Sequence, residues 1–276
     1  MELNQLLKRL WTDYTEQNPH AKKVYDLFVA EGNKIVDDHI AFRTFNDPRV
    51  NIDVLSGIFR KYGYKEKNSY DFPEKHLFAK HYEHPDGKYP RIFISELILE
   101  EFSDELKLLA EKQVDRIPSE ILKSDELIFS GIAWEPIRYD IYQKFLKESE
   151  YAAWLYSNGF RVNHFAISIN ALDTFEDITS VNTFLKNQGF LLNDSGGEVK
   201  GSPEVLLEQS SIRAGKQKVD FEEGQYEVPA CYYEFTKRYK DQNEEYYSGF
   251  IAKSADKIFE STDNYDLELY NLKSSK

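Results

Sequence analysis

Cysteine is nearly absent from this chain, which has only Cys231 among its 276 residues. A lone thiol cannot form an intrachain disulfide, and it cannot build a cysteine-rich zinc site. The neighbours Ala230, Tyr232 and Tyr233 indicate that Cys231 is a buried small hydrophobic residue, with nucleophilic catalysis as the alternative. A chain without disulfides suits a reducing compartment, so we expect the cytoplasm.

Long apolar runs and an excess of positive charge are also missing. No stretch of about 18 apolar residues occurs, and Met1 to Leu10 lack the apolar core of a secretory signal, so we expect no membrane span. Lys and Arg number 35 against 48 for Asp and Glu, which gives a formal net charge of −13. This balance disfavours nucleic acid as a partner, but a local pocket on an acidic protein can still bind a small anion.

The commonest catalytic motifs do not occur either. The chain has no Walker loop, dinucleotide glycine fingerprint, Gly-x-Ser-x-Gly elbow or His-Glu-x-x-His helix. What it does have is 41% hydrophobic and 15% aromatic residues, with 19 Tyr and 19 Phe. This composition indicates a folded protein with an aromatic interior. The length suits one large domain or two closely packed modules, and we predict one domain over residues 1–276.

Two stretches of the chain resemble one another, and each has a histidine near its start and a glutamate near its end. The first begins around His39 and reaches Glu96, and the second begins around His164 and reaches Glu234. Each contains an alternating strand, an amphipathic helix and further strand-like segments. The pattern predicts an α+β fold in which two βαβββ modules pair their sheets around a shared cavity.

Turn signals and helical stripes divide the chain further. A single long strand is expected over 226–238, and a short helix around 254–259 could cover a site. The predicted order is N-terminal helices at 1–33, a first module at 34–99, a helical insertion at 100–160, a second module at 161–240 and a polar tail at 241–276.

A metal site is the main functional prediction. Two histidines and one carboxylate, which leave the remaining positions open, are a common ligand set for iron(II), and His39, His164 and Glu234 supply it. The same ligands also accept zinc, manganese, nickel or cobalt. The alternative is that both histidines are core residues bonded to the backbone, but their matching places in a repeat favour metal binding.

Glu96 is near the end of the first repeat, as Glu234 is near the end of the second, so it is a candidate for a fourth metal ligand. As a fourth ligand it would suit a Lewis-acid isomerase rather than an oxygen-using enzyme. It could instead lie behind the ligands or pair with an arginine.

Other polar residues on the predicted strands suggest a substrate pocket. Arg43 shares a strand face with His39, and its guanidinium can hold a substrate carboxylate; a structural ion pair is the alternative. Gln209 and Ser211 alternate onto one face of a later strand. We predict that they bind substrate, with a solvent-facing position as the alternative.

Four segments resemble those of the 2-oxoadipate dioxygenase/decarboxylase family, also called 2-hydroxyglutarate synthase. They lie at 38–43, 162–165, 207–211 and 232–235, and the resemblance extends from about residue 20 to 260. It implies a fold of the vicinal-oxygen-chelate, or glyoxalase-like, type. Characterised enzymes of the family are mostly longer than this chain.

The resemblance also implies a chemistry. The iron(II) ligands of the family map onto His39, His164 and Glu234, and its substrate-binding arginine maps onto Arg43. The implied partners are a 2-oxo dicarboxylic acid and O2, with conversion of 2-oxoadipate to 2-hydroxyglutarate and release of CO2. Two other hypotheses stay open: a glyoxalase-like lyase, isomerase or hydrolase, which needs no oxygen, and a non-enzymatic module that binds a small acidic molecule.

Overall fold

Two helices at the N-terminus pack against the central sheet in the computed structural model, which describes residues 2–262. Helix α1 spans Leu3–Gln17 and α2 spans Pro19–Ala30, with Pro19 in the first turn of α2. Tyr14 of α1 donates a hydrogen bond to the carbonyl of Tyr232, and its ring lies 5.1 Å from that of Phe165. These contacts fix the helices on the face of the sheet away from the candidate site.

The main sheet has eight strands in the order β2-β3-β4-β1-β5-β10-β7-β6. Two further strands, β8 and β9, form a separate hairpin. The bounds are β1 Asp37–Phe45, β2 Lys65–Phe72, β3 Leu77–Glu83, β4 Arg91–Leu97, β5 Val162–Ser168, β6 Lys200–Ser202, β7 Leu207–Ser211, β8 Lys216–Phe221, β9 Gly224–Pro229 and β10 Tyr232–Arg238.

The order of the strands is pseudo-symmetric about the centre of the sheet. The antiparallel pair β1 and β5 lies in the middle, with β4 parallel to β1 on one side and β10 parallel to β5 on the other. The sheet curls into a half-barrel. The predicted α+β fold with two paired modules of glyoxalase-like type is therefore confirmed.

Helices cover the convex side and connect the halves. In the first half, α3 (Ile52–Leu55) and α4 (Gly57–Lys61) follow β1, and in the second half α9 (Ile178–Asn187) follows β5. Between the halves lie α5 (Asp104–Arg116), α6 (Ser119–Leu122), α7 (Tyr139–Glu148) and α8 (Glu150–Asn158). Ser149 separates α7 from α8, because its extended backbone ends one helix while its side chain caps the next by accepting from the Ala152 amide.

The prediction of one strand over 226–238 was wrong. The chain turns between β9 and β10, and β9 pairs with β8 in a hairpin outside the main sheet. Pro229 ends β9 and has no amide hydrogen to donate to a strand ladder. The strand that carries Glu234 therefore starts only at Tyr232.

The last described helix, α10, spans Ala252–Phe259 and continues as a 3₁₀ turn over Glu260–Thr262. It matches the short helix expected around 254–259. The rest of the predicted tail, 263–276, lies outside the described residues. Across residues 2–262, no helix is both long and apolar enough to cross a lipid bilayer.

Candidate metal centre

Three side chains from three adjacent strands converge on one point. His39 Nε2 lies 3.3 Å from His164 Nε2 and 3.5 Å from Glu234 Oε1, while His164 Nε2 lies 3.3 Å from Glu234 Oε2. All three side chains are buried. Within the described chain, this is the one group of three or more His, Cys, Asp or Glu residues able to hold a metal ion together.

Strand register explains the convergence. Ala41 of β1 is opposite His164 of β5, and Ala166 of β5 is opposite both His39 and Glu234. Alternate residues of a strand point to the same face of a sheet, so the three side chains emerge together on the concave face.

Glu96 does not reach this group, contrary to the prediction that it is a fourth ligand or lies just behind the ligands. Its carboxylate accepts a hydrogen bond of 2.9 Å from the Ile52 amide at the start of α3. The reason is register: Glu96 is opposite Thr44, so it shares the convex face with Thr44 and lies across the sheet from Arg43. The position equivalent to Glu234 in the first half is Phe93, two residues beyond the partner of His39.

The second ring nitrogen of each histidine is bound to the residue that precedes it. His39 Nδ1 lies 2.9 Å from Asp38 Oδ1, and His164 Nδ1 lies 2.9 Å from Asn163 Oδ1. A carboxylate can only accept, so His39 carries its proton on Nδ1, and the Asn163 oxygen favours the same tautomer for His164. Both Nε2 atoms then present a lone pair to the shared point.

The electrostatics of the group call for a positive charge. Burial alone would raise the pKa of Glu234, but positive charge and protons taken up by the two imidazoles facing it, His39 first, hold that pKa well below its usual range. Burial also acts to lower the pKa of His39, yet the Glu234 and Asp38 carboxylates outweigh it and the pKa is raised. Burial lowers the pKa of His164 to about 4.

The three donors fit a metal ion in both chemistry and spacing. A cation bonded to three donors at about 2.1 Å, with angles between octahedral and tetrahedral, requires donors about 3.0–3.4 Å apart. The separations of 3.3–3.5 Å are close to that range. Two lone pairs and a carboxylate facing one another at these distances repel unless a proton or a cation lies between them.

Glu234 is held in place by its own neighbours. Gln209 Nε2 donates to Glu234 Oε1 at 2.6 Å, and the Thr236 hydroxyl donates to the same oxygen at 3.0 Å. The other polar atom of the Gln209 amide, Oε1, is buried and has no hydrogen-bond partner in the described part of the chain. Ser211, the second predicted substrate residue, shares a hydrogen bond of 2.7 Å with the Ser261 hydroxyl behind α10.

Arg43 is buried near the group and is not paired with an acidic side chain among residues 2–262. It donates from Nη1 to the Thr262 hydroxyl at 3.0 Å and from Nη2 to the Phe259 carbonyl at 3.4 Å, while its Nε has no hydrogen-bond partner within the same residues, 2–262. The guanidinium lies over the rings of Tyr151 and Trp154, 4.9 Å from each centroid. The structural ion pair with Glu96 considered for Arg43 is therefore not formed.

Helix α10 nearly fills the space over His39, His164 and Glu234. The cavity that remains is about 20 Å³, bounded by the ligands together with Tyr232, Phe250 and Phe259. That volume holds about one water molecule. On the other side of Phe259 a cleft of about 450 Å³ reaches Arg43 and Thr262.

Sequence reasoning missed the residues behind the ligands. Asp38 accepts from both Arg238 and His39, and Phe250 packs edge-to-face on the His39 ring with centroids 4.9 Å apart. The only signal for Asp38 was its place next to a predicted ligand. Arg238 lies 200 residues away from Asp38 along the chain, so no local pattern linked the two.

Comparison with known proteins agrees with the geometry. Residues 3–240 match the family model of 2-oxoadipate dioxygenase/decarboxylase. The chain is 35% identical to the chloroplastic/amyloplastic 2-oxoadipate dioxygenase/decarboxylase of Oryza sativa subsp. japonica, over 92% of this chain and 77% of the relative.

Two solved structures are similar over nearly the whole chain. A protein of Shewanella frigidimarina NCIMB 400 has a TM-score of 0.86 and 48% identity, over 91% of this chain and 98% of the other. The hydroxyglutarate synthase of Oryza sativa, solved in complex with 2-oxoadipate, also has a TM-score of 0.86, with 32% identity over 96% of this chain and 93% of the other.

Proposed function

Because the chain belongs to the 2-oxoadipate dioxygenase/decarboxylase family, we propose that it is a metal-dependent enzyme that oxidises and decarboxylates a 2-oxo dicarboxylic acid. 2-Oxoadipate is the first candidate, because the similar rice synthase was solved in complex with it. The reaction consumes 2-oxoadipate and O2 and yields 2-hydroxyglutarate and CO2. That equation balances without a separate reductant.

The observation that carries the proposal is the buried group His39, His164 and Glu234. Iron(II) is the metal we propose, since two histidines and a carboxylate with open positions are the ligand set of many iron(II) oxygenases. A bound iron(II) would supply the redox chemistry with O2 and a Lewis acid for the 2-oxo acid. The single buried cysteine suits a reducing compartment, and we propose the cytoplasm.

Arg43 is proposed to bind the substrate carboxylate that lies away from the metal. Within residues 2–262 it donates to neutral oxygens, those of Phe259 and Thr262. A carboxylate in their place would form charge-assisted hydrogen bonds, which are roughly twice as strong as neutral ones. Burial of Arg43 on aromatic rings limits its motion, so a bound substrate would be oriented as well as neutralised.

The other residues around the cavity exclude water and hold the carboxylate ligand. The Phe93, Tyr232 and Phe250 rings line the cavity with apolar surface. Gln209 and Thr236 fix Glu234, and the free Gln209 Oε1 is available to accept a hydrogen bond from substrate. Since a cavity of about 20 Å³ has no room for a six-carbon acid, α10 must shift when substrate binds.

The test is a single-turnover and steady-state assay of the purified protein with iron(II), O2 and 2-oxoadipate. We expect CO2 and 2-hydroxyglutarate in equal amounts, and no product without O2. His39→Ala, His164→Ala and Glu234→Ala should each abolish turnover, because each removes a ligand.

Glu96→Gln is the matched control for the loss of a carboxylate, since Glu96 lies on the opposite face of the sheet. Turnover that survives in the three ligand variants would reject the proposal. Product formation under anaerobic conditions would favour the glyoxalase-like alternative.

A further inference from the structure

A buried ion pair lies directly behind His39. Arg238 Nε donates to Asp38 Oδ2 at 2.6 Å, and its Nη2 donates to Asp38 Oδ1 at 2.8 Å. The same Oδ1 accepts from His39 Nδ1 at 2.9 Å. All three side chains are almost fully buried. A two-point pair of this kind fixes the plane of the carboxylate, and hence the direction of its remaining acceptor.

We propose that Arg238 is a positioning residue for the metal centre and that it acts through Asp38. It touches no ligand itself, but it fixes the carboxylate that orients the His39 ring and keeps the proton on Nδ1. Groups that hold the second nitrogen of a metal-binding histidine typically change metal affinity by about 10–100-fold when they are replaced. The inference rests on the metal centre proposed above.

The same guanidinium also anchors the segment that leads into α10. Arg238 Nη1 donates to the carbonyl of Tyr247 at 2.9 Å and to that of Gly249 at 2.7 Å. The next residue, Phe250, packs on the His39 ring. The Arg238 guanidinium lies over the Phe250 ring, with Cζ 5.2 Å from the ring centroid. Arg238 therefore holds His39 from two directions: at Nδ1 through Asp38, and against the ring through Phe250.

Arg91 provides a matched control. It is the other arginine at Asp38, with one contact of 3.4 Å from Nη1 to Oδ2, and its side chain is 21% exposed. It contributes a similar positive charge near Asp38 without the two-point geometry. Replacing either arginine by lysine keeps the charge, so a difference between the two variants reports on geometry.

The experiment measures Co²⁺ binding to the metal-free, full-length protein by visible absorption, at temperatures well below thermal unfolding. We expect Arg238→Lys to weaken Co²⁺ binding about 10–100-fold and to alter the absorption spectrum of the bound ion. Arg91→Lys should change the affinity less than about fivefold, as is usual for a partly exposed pair. Hydrogen exchange should be faster at Phe250 in Arg238→Lys only.

Wild-type affinity and spectrum in a folded Arg238→Lys protein would overturn the proposal, and so would equal losses in both lysine variants. If Arg238→Lys does not fold, Asp38→Asn decides: it preserves the shape of the side chain, and unchanged Co²⁺ affinity in it would overturn the proposal. A wild-type protein that binds no Co²⁺ would contradict the metal centre itself, whereas unchanged variants contradict only the role of Arg238.

Discussion

The two halves of the sheet hold their histidines with different chemistry. Behind His39 is the carboxylate of Asp38, paired with Arg238, whereas behind His164 is the neutral amide of Asn163. The pKa of His39 is raised by the carboxylates around it, and that of His164 is lowered to about 4 by burial. The repeat therefore supplies matching positions for two imidazoles, while only the first has a charged group behind its second ring nitrogen.

The remaining functional groups are divided between the halves. Glu234, the proposed carboxylate ligand, belongs to the second half, and the equivalent place in the first half holds Phe93. Arg43 belongs to the first half, and the residue four positions after His164 is Ser168. Each half thus contributes one histidine of the candidate centre, while its carboxylate comes from the second half and Arg43, the proposed substrate residue, from the first.

Removing the single carboxylate of the centre should have the largest effect. Glu234→Gln keeps the shape of the side chain and one acceptor oxygen, but it replaces the other oxygen by an NH2 donor and deletes the negative charge. We expect a loss of metal affinity greater than the roughly 10–100-fold typical of residues behind the ligands, and a loss of turnover. Metal content after dialysis against Co²⁺ checks this, and a stoichiometric complex in the variant would contradict the assignment of Glu234 as a ligand.

Placing a carboxylate behind His164, as Asp38 lies behind His39, should lower the stability of the folded protein. Asn163→Asp places a carboxylate behind His164, and within residues 2–262 the Asn163 amide nitrogen that it replaces has no hydrogen-bond partner. We expect the free energy of unfolding of the metal-free protein to fall by about 3 kcal/mol, because an unpaired charge becomes buried. Urea denaturation measures it. Equal stability of variant and wild type would show that the two halves tolerate the same chemistry.

Replacing Arg43 by an uncharged residue should separate substrate binding from metal binding. Arg43→Met removes the guanidinium while filling part of its space. Hydrogen bonds to charged groups contribute about 1.5–3 kcal/mol, so we expect KM for 2-oxoadipate to rise about 10–100-fold. Co²⁺ affinity should be unchanged. An unchanged KM would mean that Arg43 serves only to hold Phe259 and Thr262.

The smallest effect is expected at Glu96. Glu96→Gln retains an oxygen that can accept from the Ile52 amide. We expect the free energy of unfolding to change by less than about 1 kcal/mol, with metal affinity and turnover unaltered. A marked loss of metal in this variant would restore the fourth-ligand hypothesis.

The repeat in the sequence was enough to predict the fold and the three converging side chains. Histidines at matching strand positions point to the same side of a pseudo-symmetric sheet, so their convergence followed from the pattern. The same symmetry misled for Glu96, because a glutamate near the end of each repeat is not at the same register position in both. Only strand pairing shows that Phe93, and not Glu96, corresponds to Glu234.

Two other features could not be predicted for physical reasons. The Arg238–Asp38 pair joins residues from opposite ends of the chain, and its partners are chosen by packing rather than by local spacing. The β8–β9 hairpin depended on a break at Pro229 inside a stretch with continuous strand character. Strand propensity predicts extended backbone but not the strand with which it pairs.

Helix α10 over the ligands has a consequence for selectivity. If substrate binds Arg43 as proposed, it displaces Phe259 and Thr262 from the guanidinium, and its apparent affinity equals its intrinsic affinity multiplied by the fraction of molecules in which that displacement has occurred. Molecules that engage both the metal and the guanidinium recover this cost through two strong contacts. Monocarboxylic oxo acids would make only one of these contacts, so at an equal displacement cost they would bind more weakly than dicarboxylic oxo acids.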